Sequence, residues 1–277
     1  CLADGINEQP ERLRVFIDAQ HYLLCYWKLS EEFINYRRFF TVNELICLRM
    51  EDRRVFDDYH QVIISLYEKG LIHGIRIDHI DGLFDPAKYV SWLRDRMGSS
   101  CFIVAEKILE AHEAMPEKWR LEGTSGYEFL SYVNQLITDR RSGKRLLEFY
   151  RKLVPELEPY TKLVTSNKRL ILENYMQGEW DNLTHLFFES GLHGNFQKQR
   201  LKQAIGYFMI SVPVYRIYPE RLPLSDNERS VLDEAFRSAL IAGRDYEEEI
   251  AHLRSLFLED TADAGMRQNA LQFLKRL

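Results

Sequence analysis

The sequence predicts an α/β fold in its first half that gives way to a mostly helical second half. Three observations predict it. Between about Asp57 and Lys107 the apolar residues switch between helical spacing and strand alternation. Within that stretch a β-branched run, Ile75-Arg76-Ile77-Asp78, and an unbroken apolar run, Cys101 to Ala105, flank one helix-like segment, the grammar of a βαβ unit. From about Tyr127 onward nearly every apolar spacing is helical. Helix-covered parallel strands leave an open doubly wound sheet or a closed eight-stranded barrel, and periodicity alone does not separate the two.

Taken in order, Val62, Ile63, Leu66 and Tyr67 recur at helical spacing, and Gly70 supplies a stop that tolerates a left-handed backbone. Gly74 opens the strand Ile75 to Asp78. Asp85-Pro86 then reads as an N-cap followed by proline at the first helical position. The helix from about Pro86 to Met97 carries Tyr89, Val90, Leu93 and Met97 on one side, and Gly98-Ser99-Ser100 leads into Cys101 to Ala105. An apolar run of that kind suits a strand covered on both faces. In the second half Asn195 to Ile210 reads as a helix, and Pro213 and Pro219 bracket an extended Val214 to Tyr218. Ser225 and Glu228 have capping-box spacing, with Leu232, Ala235, Phe236, Ala239 and Leu240 on one face of the helix that follows. The pattern Met266, Ala270, Leu271, Leu274 is helical up to the last residue. Both this end and the opening Cys1 read as cuts through a longer protein.

The 277 residues are enough for a large core, and 45% hydrophobic with 29% charged residues lies in the globular range. A balance of 37 basic against 42 acidic residues, without a basic run, argues against nucleic acid as a partner. No stretch approaches the ~18 consecutive apolar residues of a membrane helix, and no secretory signal pattern opens the chain. Cys1, Cys25, Cys47 and Cys101 are scattered, and the histidines, among them His60, His73, His112 and His193, show no close ligand spacing. Neither a disulfide framework nor a metal site is expected, and a cytoplasmic location fits.

The candidate chemistry sits at two strand ends. Residues two apart on a strand share a face, so Arg76 and Asp78 project together while Ile75 and Ile77 face the covering helices. The next parallel strand ends Val104-Ala105-Glu106-Lys107, which puts a second carboxylate at the same rim. Two carboxylates at adjacent strand ends suit glycosyl transfer, one attacking an anomeric carbon and the other protonating the leaving oxygen. Arg76 beside Asp78 favours the ionised carboxylate a nucleophile needs, and a carboxyl near a second anion, as Glu106 would be, favours the protonated form a general acid needs. An Arg-x-Asp pair on a strand is more often only a salt bridge at a loop entrance. His79 and Asp81 in the following loop read either as ligand contacts or as turn and cap formers.

The string G-I-R-I-D-H-I-D-G-L-F-D-P, Gly74 to Pro86, resembles the fourth-strand nucleophile motif of the α-amylase superfamily in its maltooligosyl trehalose synthase form. The string A-E-K-I-L, Ala105 to Leu109, is similar to that family's acid/base motif and lies at the expected distance downstream. Three further segments carry the resemblance: I-N-Y-R-R-F-F-T-V-N-E-L from Ile34 to Leu45, L-E-G-T-S-G-Y-E-F-L from Leu121 to Leu130, and V-P-V-Y-R-I-Y from Val212 to Tyr218. Thr41 stands where the family commonly shows an acid, and Ile46-Cys47 replaces its usual small pair.

The resemblance implies an (α-1,4)-glucan 1-α-glucosylmutase acting on a maltooligosaccharide or α-1,4-glucan without a cofactor or metal. It implies Asp78 as nucleophile, Glu106 as acid/base and Arg76 as the arginine that orients the nucleophile. His79, Asp81 and Lys107 are then sugar contacts, and Tyr36, Arg37 and Arg38 line the cleft. Trp27, Tyr36 and Tyr127 are aromatics that could stack on sugar faces. The expected architecture is a partial (β/α)8 barrel carrying the region of strands 4 and 5 over residues 1–125, followed by a mostly α-helical subdomain over 126–277. The superfamily's third catalytic carboxylate has no counterpart in these residues and is expected outside them.

Overall fold

The computed structural model of the chain describes residues 2–110, 113–116, 118–259 and 263–277, so Cys1 and His112 lie outside the described residues. Three short helices, α1 (Leu2–Asn7), α2 (Pro10–Asp18) and α3 (Ser30–Phe33), precede an antiparallel hairpin of β1 (Arg38–Phe39) and β2 (Val42–Ile46). Alternation does not announce this hairpin, because β2 leaves four of its five residues exposed and so lacks an apolar face. Its turn places Phe40 at φ +49°, a left-handed conformation rare for a bulky side chain.

The βαβ unit follows as the spacing predicts. Helix α4 (Arg53–Glu68) starts on Asp52, whose side chain accepts from the Arg54 N–H, and Gly70 leaves it at φ +69°. Its core-facing stripe runs from the buried Phe56 and His60 to the partly buried Ile63 and Tyr67, and Val62 is 70% exposed. The apolar face is therefore rotated from the expected one, because Phe56 and His60 dock on Tyr89 and turn the helix with them. Strand β3 (Gly74–Ile77) is joined by α5 (Pro86–Met97) to a parallel β4 (Phe102–Ala105), and Asp85 caps α5 by accepting from the Lys88 N–H at 3.1 Å. A short third strand, β5 (Gly123–Thr124), pairs in parallel with β4, giving the order β3-β4-β5.

One face of β4 is sealed, with Cys101, Ile103 and Ala105 at 0% exposure, while Phe102 on the other face is 58% exposed. The expectation of a strand covered on both faces is thus corrected: among the described residues, helices cover only the Ile103 side. The first core gathers Phe56, Ile77, Ile80, Val90, Leu93, Met97 and Ile103 between the sheet and the two helices α4 and α5.

The remainder is helical: α6 (Tyr127–Ile137), α7 (Gly143–Leu153), α8 (Tyr160–Tyr175), α9 (Gln177–Glu189), α10 (Lys198–Ser211), α11 (Asp226–Ala242), α12 (Glu247–Leu258) and α13 (Ala264–Leu274). A second core forms around α10, where Leu201, Ala204, Ile205 and Phe208 meet Phe187, Phe236, Leu253 and Phe273. The Ser225–Glu228 capping box is fully formed, and Leu232, Ala235, Phe236 and Ala239 are buried as their spacing predicts. Helices α6 and α7 bury none of their residues, although they carry Phe129, Leu136, Ile137 and Phe149. No helix among the described residues is long and apolar enough to cross a membrane. Val214 to Tyr218, expected to be extended, is irregular with bends from Pro213 to Tyr215, and it joins no sheet.

Candidate active site

The site starts from the register of two strands. Ile77 pairs with Ala105, and the Glu106 N–H donates to the Ile77 carbonyl at 2.7 Å, so Asp78 and Glu106 leave adjacent parallel strands side by side. Ile77 is buried in the first core, and the alternation that buries it turns Arg76 and Asp78 to the opposite face.

There the Arg76 guanidinium bridges the two carboxylates, with one nitrogen 2.6 Å from Asp78 Oδ1 and the other 2.9 Å from Glu106 Oε1. A single planar guanidinium that holds both keeps them well inside the ~9.5 Å upper bound of paired glycosidase carboxylates. The hydrogen bond from Arg76, followed by the Glu106 carboxyl within bonding reach, holds the Asp78 carboxyl below the usual carboxylate range. Asp78 is 70% exposed and Glu106 23%, so the first stands on an open shelf and the second is set into its back.

Glu106 has two further partners. The Tyr127 hydroxyl donates to Oε1 and the His79 main-chain N–H donates to Oε2, both at 3.1 Å. Tyr127 is the first residue of α6, delivered by Gly126 at φ +94° in the turn after β5. His79 is itself left-handed, at φ +44°, and its ring lies on Gly82, where an added Cβ would stand 2.6 Å from Nδ1. The ring also packs against Phe39 and Phe40 of the hairpin, and its Nε2 is 3.2 Å from the Tyr215 hydroxyl.

Arg76, Asp78, His79 and Glu106 are therefore brought together. Tyr36, whose hydroxyl donates to the Asn43 carbonyl, and the exposed Arg37 belong to the hairpin that reaches the site through Phe39 and Phe40. The other expected contacts, Lys107, Asp81 and Arg38, face inward in this chain. The Lys107 side chain is 0% exposed, one residue past Glu106 and so on the opposite face, with its ammonium 2.7 Å from Glu113 and 3.5 Å from Asp81. The same ammonium lies over the Tyr218 ring, 5.3 Å from its centroid. Asp81 accepts from the Tyr218 hydroxyl. Arg38 is consumed by Glu179 at 2.9 Å, Asn43 at 2.6 Å and the Thr41 and Tyr175 carbonyls, a staple between hairpin and helices.

Sequence reasoning missed Phe39, Phe40 and Tyr215 as neighbours of His79. Tyr215 stood in the V-P-V-Y-R-I-Y segment, and Phe39 and Phe40 in the I-N-Y-R-R-F-F-T-V-N-E-L segment, signals without a role. Among the described residues no cluster of three or more histidine, cysteine or acidic side chains could hold a metal ion.

No family model matches the chain. Proteins from two strains of Mycobacterium tuberculosis, each described as a "putative maltooligosyl trehalose synthase", are 40% identical to it over 122 residues, 44% of this chain and 16% of theirs. Among solved structures, the maltooligosyltrehalose synthase from Arthrobacter ramosus superposes with a TM-score of 0.80 at 32% identity, over 95% of this chain and 32% of its own. A glycosyltrehalose synthase gives 0.68 at 30% identity, over 89% of this chain and 32% of its own. A hypothetical maltooligosyl trehalose synthase from Sulfolobus tokodaii gives 0.67 at 26% identity, over 93% and 34%. The chain thus spans about a third of the length of these solved relatives and a sixth of the curated ones.

Proposed function

For a chain homologous to about a third of a maltooligosyl trehalose synthase, we propose that it carries the reacting pair of an intramolecular transglucosylase, which converts the reducing-end α-1,4 linkage of a maltooligosaccharide to an α,α-1,1 linkage. The single observation that supports this most is the Arg76 guanidinium shared by Asp78 at 2.6 Å and Glu106 at 2.9 Å. In this reading β3 and β4 are the fourth and fifth strands of a (β/α)8 barrel. Residues 1–125 belong to the barrel and 126–277 to a helical subdomain. The protein works in the cytoplasm on maltooligosaccharides or α-1,4-glucan, without a cofactor.

The reaction is a double displacement. Asp78 attacks the anomeric carbon of the penultimate glucosyl unit, the bond to O4 of the terminal glucose breaks, and Glu106 delivers a proton to that oxygen. The freed glucose turns over in place. Its anomeric hydroxyl then gives its proton to Glu106 and attacks the glycosyl-Asp78 ester, and the carboxylate leaves with the original configuration restored. Water must be kept out during the turnover, or hydrolysis competes. Because the shelf leaves Asp78 largely exposed, this chain assayed alone should show little or no turnover, water exclusion resting with the parts of the relatives it does not span.

The test incubates the complete gene product with maltopentaose and analyses the products. Non-reducing trehalose ends at constant glucose-unit count support the mutase. Rising reducing ends would instead make it a hydrolase, and longer and shorter maltooligosaccharides would make it an intermolecular glucanotransferase on the same carboxylates.

A further inference from the structure

The loop between β3 and α5 is held from both sides. From the sheet side, the His79 N–H donates to Glu106. From the other side the loop meets Tyr215 to Tyr218, part of an irregular stretch between Pro213 and Pro219 that lies outside α10. Arg216, half-buried, donates to the carbonyls of Asp81 at 2.8 Å, Leu83 and Phe84 at 3.0 Å, and to that of Lys275 in the last turn at 2.7 Å. Among the described residues it has no ion-pair partner, and burial lowers its pKa from the ordinary arginine value. A cation whose hydrogen bonds all go to main-chain carbonyls dictates where those carbonyls point. The neighbouring side chains act on the same loop: the Tyr215 hydroxyl on the His79 ring, and the Tyr218 hydroxyl on the Asp81 carboxylate.

We propose that Tyr215-Arg216-Ile217-Tyr218 is a brace that fixes the β3–α5 loop against Glu106, which makes Arg216 and Tyr215 positioning residues for the reaction. This rests on the reading of Asp78 and Glu106 as the reacting pair. His79 occupies the left-handed region, where a non-glycine residue persists only if its surroundings impose it. The surroundings that impose it are the carbonyls of the following residues, turned toward Arg216, and the imidazole, pinned between Gly82 and Tyr215. With the carbonyls and ring fixed, the one free polar group of the His79 main chain, its N–H, points at Glu106 Oε2. The brace therefore reaches the acid/base through His79 without touching substrate.

Hydrogen exchange of the 78–84 peptide and steady-state kinetics on maltopentaose, in the complete gene product, test it with Arg216→Lys and Tyr215→Phe. Lysine keeps the charge but lacks the fork that spans several carbonyls, and phenylalanine keeps the ring but loses the hydroxyl. The expected result for Arg216→Lys is exchange about tenfold faster and a kcat about tenfold lower, with KM within about twofold, the scale of lost hydrogen bonds. Tyr215→Phe should move both in the same direction by less. Unchanged exchange in both variants overturns the brace, and faster exchange with unchanged kcat overturns the positioning role. If the parent enzyme forms no trehalose ends, the functional reading fails and exchange alone decides the brace. Should Arg216→Lys fail to fold, Tyr215→Phe still decides, because Tyr215 is 58% exposed and its hydroxyl is not part of either core.

Discussion

The main-chain N–H of His79 donates to Oε2 of Glu106 across 3.1 Å, so the residue that follows one candidate carboxylate holds the other. The two strand ends are thereby coupled by a backbone hydrogen bond as well as by Arg76. A displacement of either strand end disturbs both carboxylates.

Replacing Arg76 with alanine should lower turnover more than stability. Asp78, held below the usual carboxylate range mainly by Arg76, would rise toward its ordinary value. A depressed carboxylate contributes its stabilising interaction above the unfolded-state pKa and loses it as pH falls through the folded-state pKa. The acid limb of kcat/KM should therefore move to higher pH in Arg76→Ala. Because Asp78 is largely exposed, added salt should reduce the difference between variant and parent. The measurement is the pH profile beside a thermal melt.

Tyr127→Phe removes one donor from Glu106 Oε1 and leaves the ring that starts α6. A typical hydrogen bond contributes about 0.5–1.5 kcal/mol, so kcat should fall by roughly two- to tenfold. Steady-state kinetics with an unchanged melting temperature would check it.

Much of this was legible in the sequence, and the part that was not has definite reasons. The βαβ unit could be read because Asp85-Pro86, Gly70 and the β-branched Ile75 and Ile77 are each local signals, and the Ser225 capping box because its spacing is diagnostic. The facing of Arg76 and Asp78 followed from strand alternation. The facing of Lys107 away from Glu106 was implicit in the same alternation, but the inward turn of Asp81 could not be read, since its partner Tyr218 is remote in sequence. The hairpin of β1 and β2 lacked an apolar face to announce it, and the rotated stripe of α4 was set by its contact with Tyr89 on another helix. In each case tertiary partners decided what local pattern left open.

Lys107→Met should be a stability variant. Removing the sealed ammonium leaves Asp81 and Glu113 facing each other without a counter-charge, a loss on the order of 3–5 kcal/mol for a broken buried pair. Chemical denaturation measures it. A loss below about 1 kcal/mol would mean that water reaches the two carboxylates.

Gly206→Ala tests the helical core. A Cβ at that position in α10 would stand 2.5 Å from the Trp180 ring, which is itself fixed by its N–H to the Lys202 carbonyl at 2.8 Å. Overpacking of this kind costs about 1–3 kcal/mol and should lower the melting temperature.

The measurement closest to the central claim traps the glycosyl-enzyme in the complete gene product with a slow-turnover glycosyl fluoride and locates the label by mass spectrometry of the proteolysed protein. The account predicts one glycosyl adduct, on the peptide containing Asp78, absent from Asp78→Asn and longer-lived in Glu106→Gln, because fluoride departs without an acid while the second displacement needs Glu106 as base. An adduct on any other carboxylate, or full transglucosylation by Asp78→Asn, would contradict it.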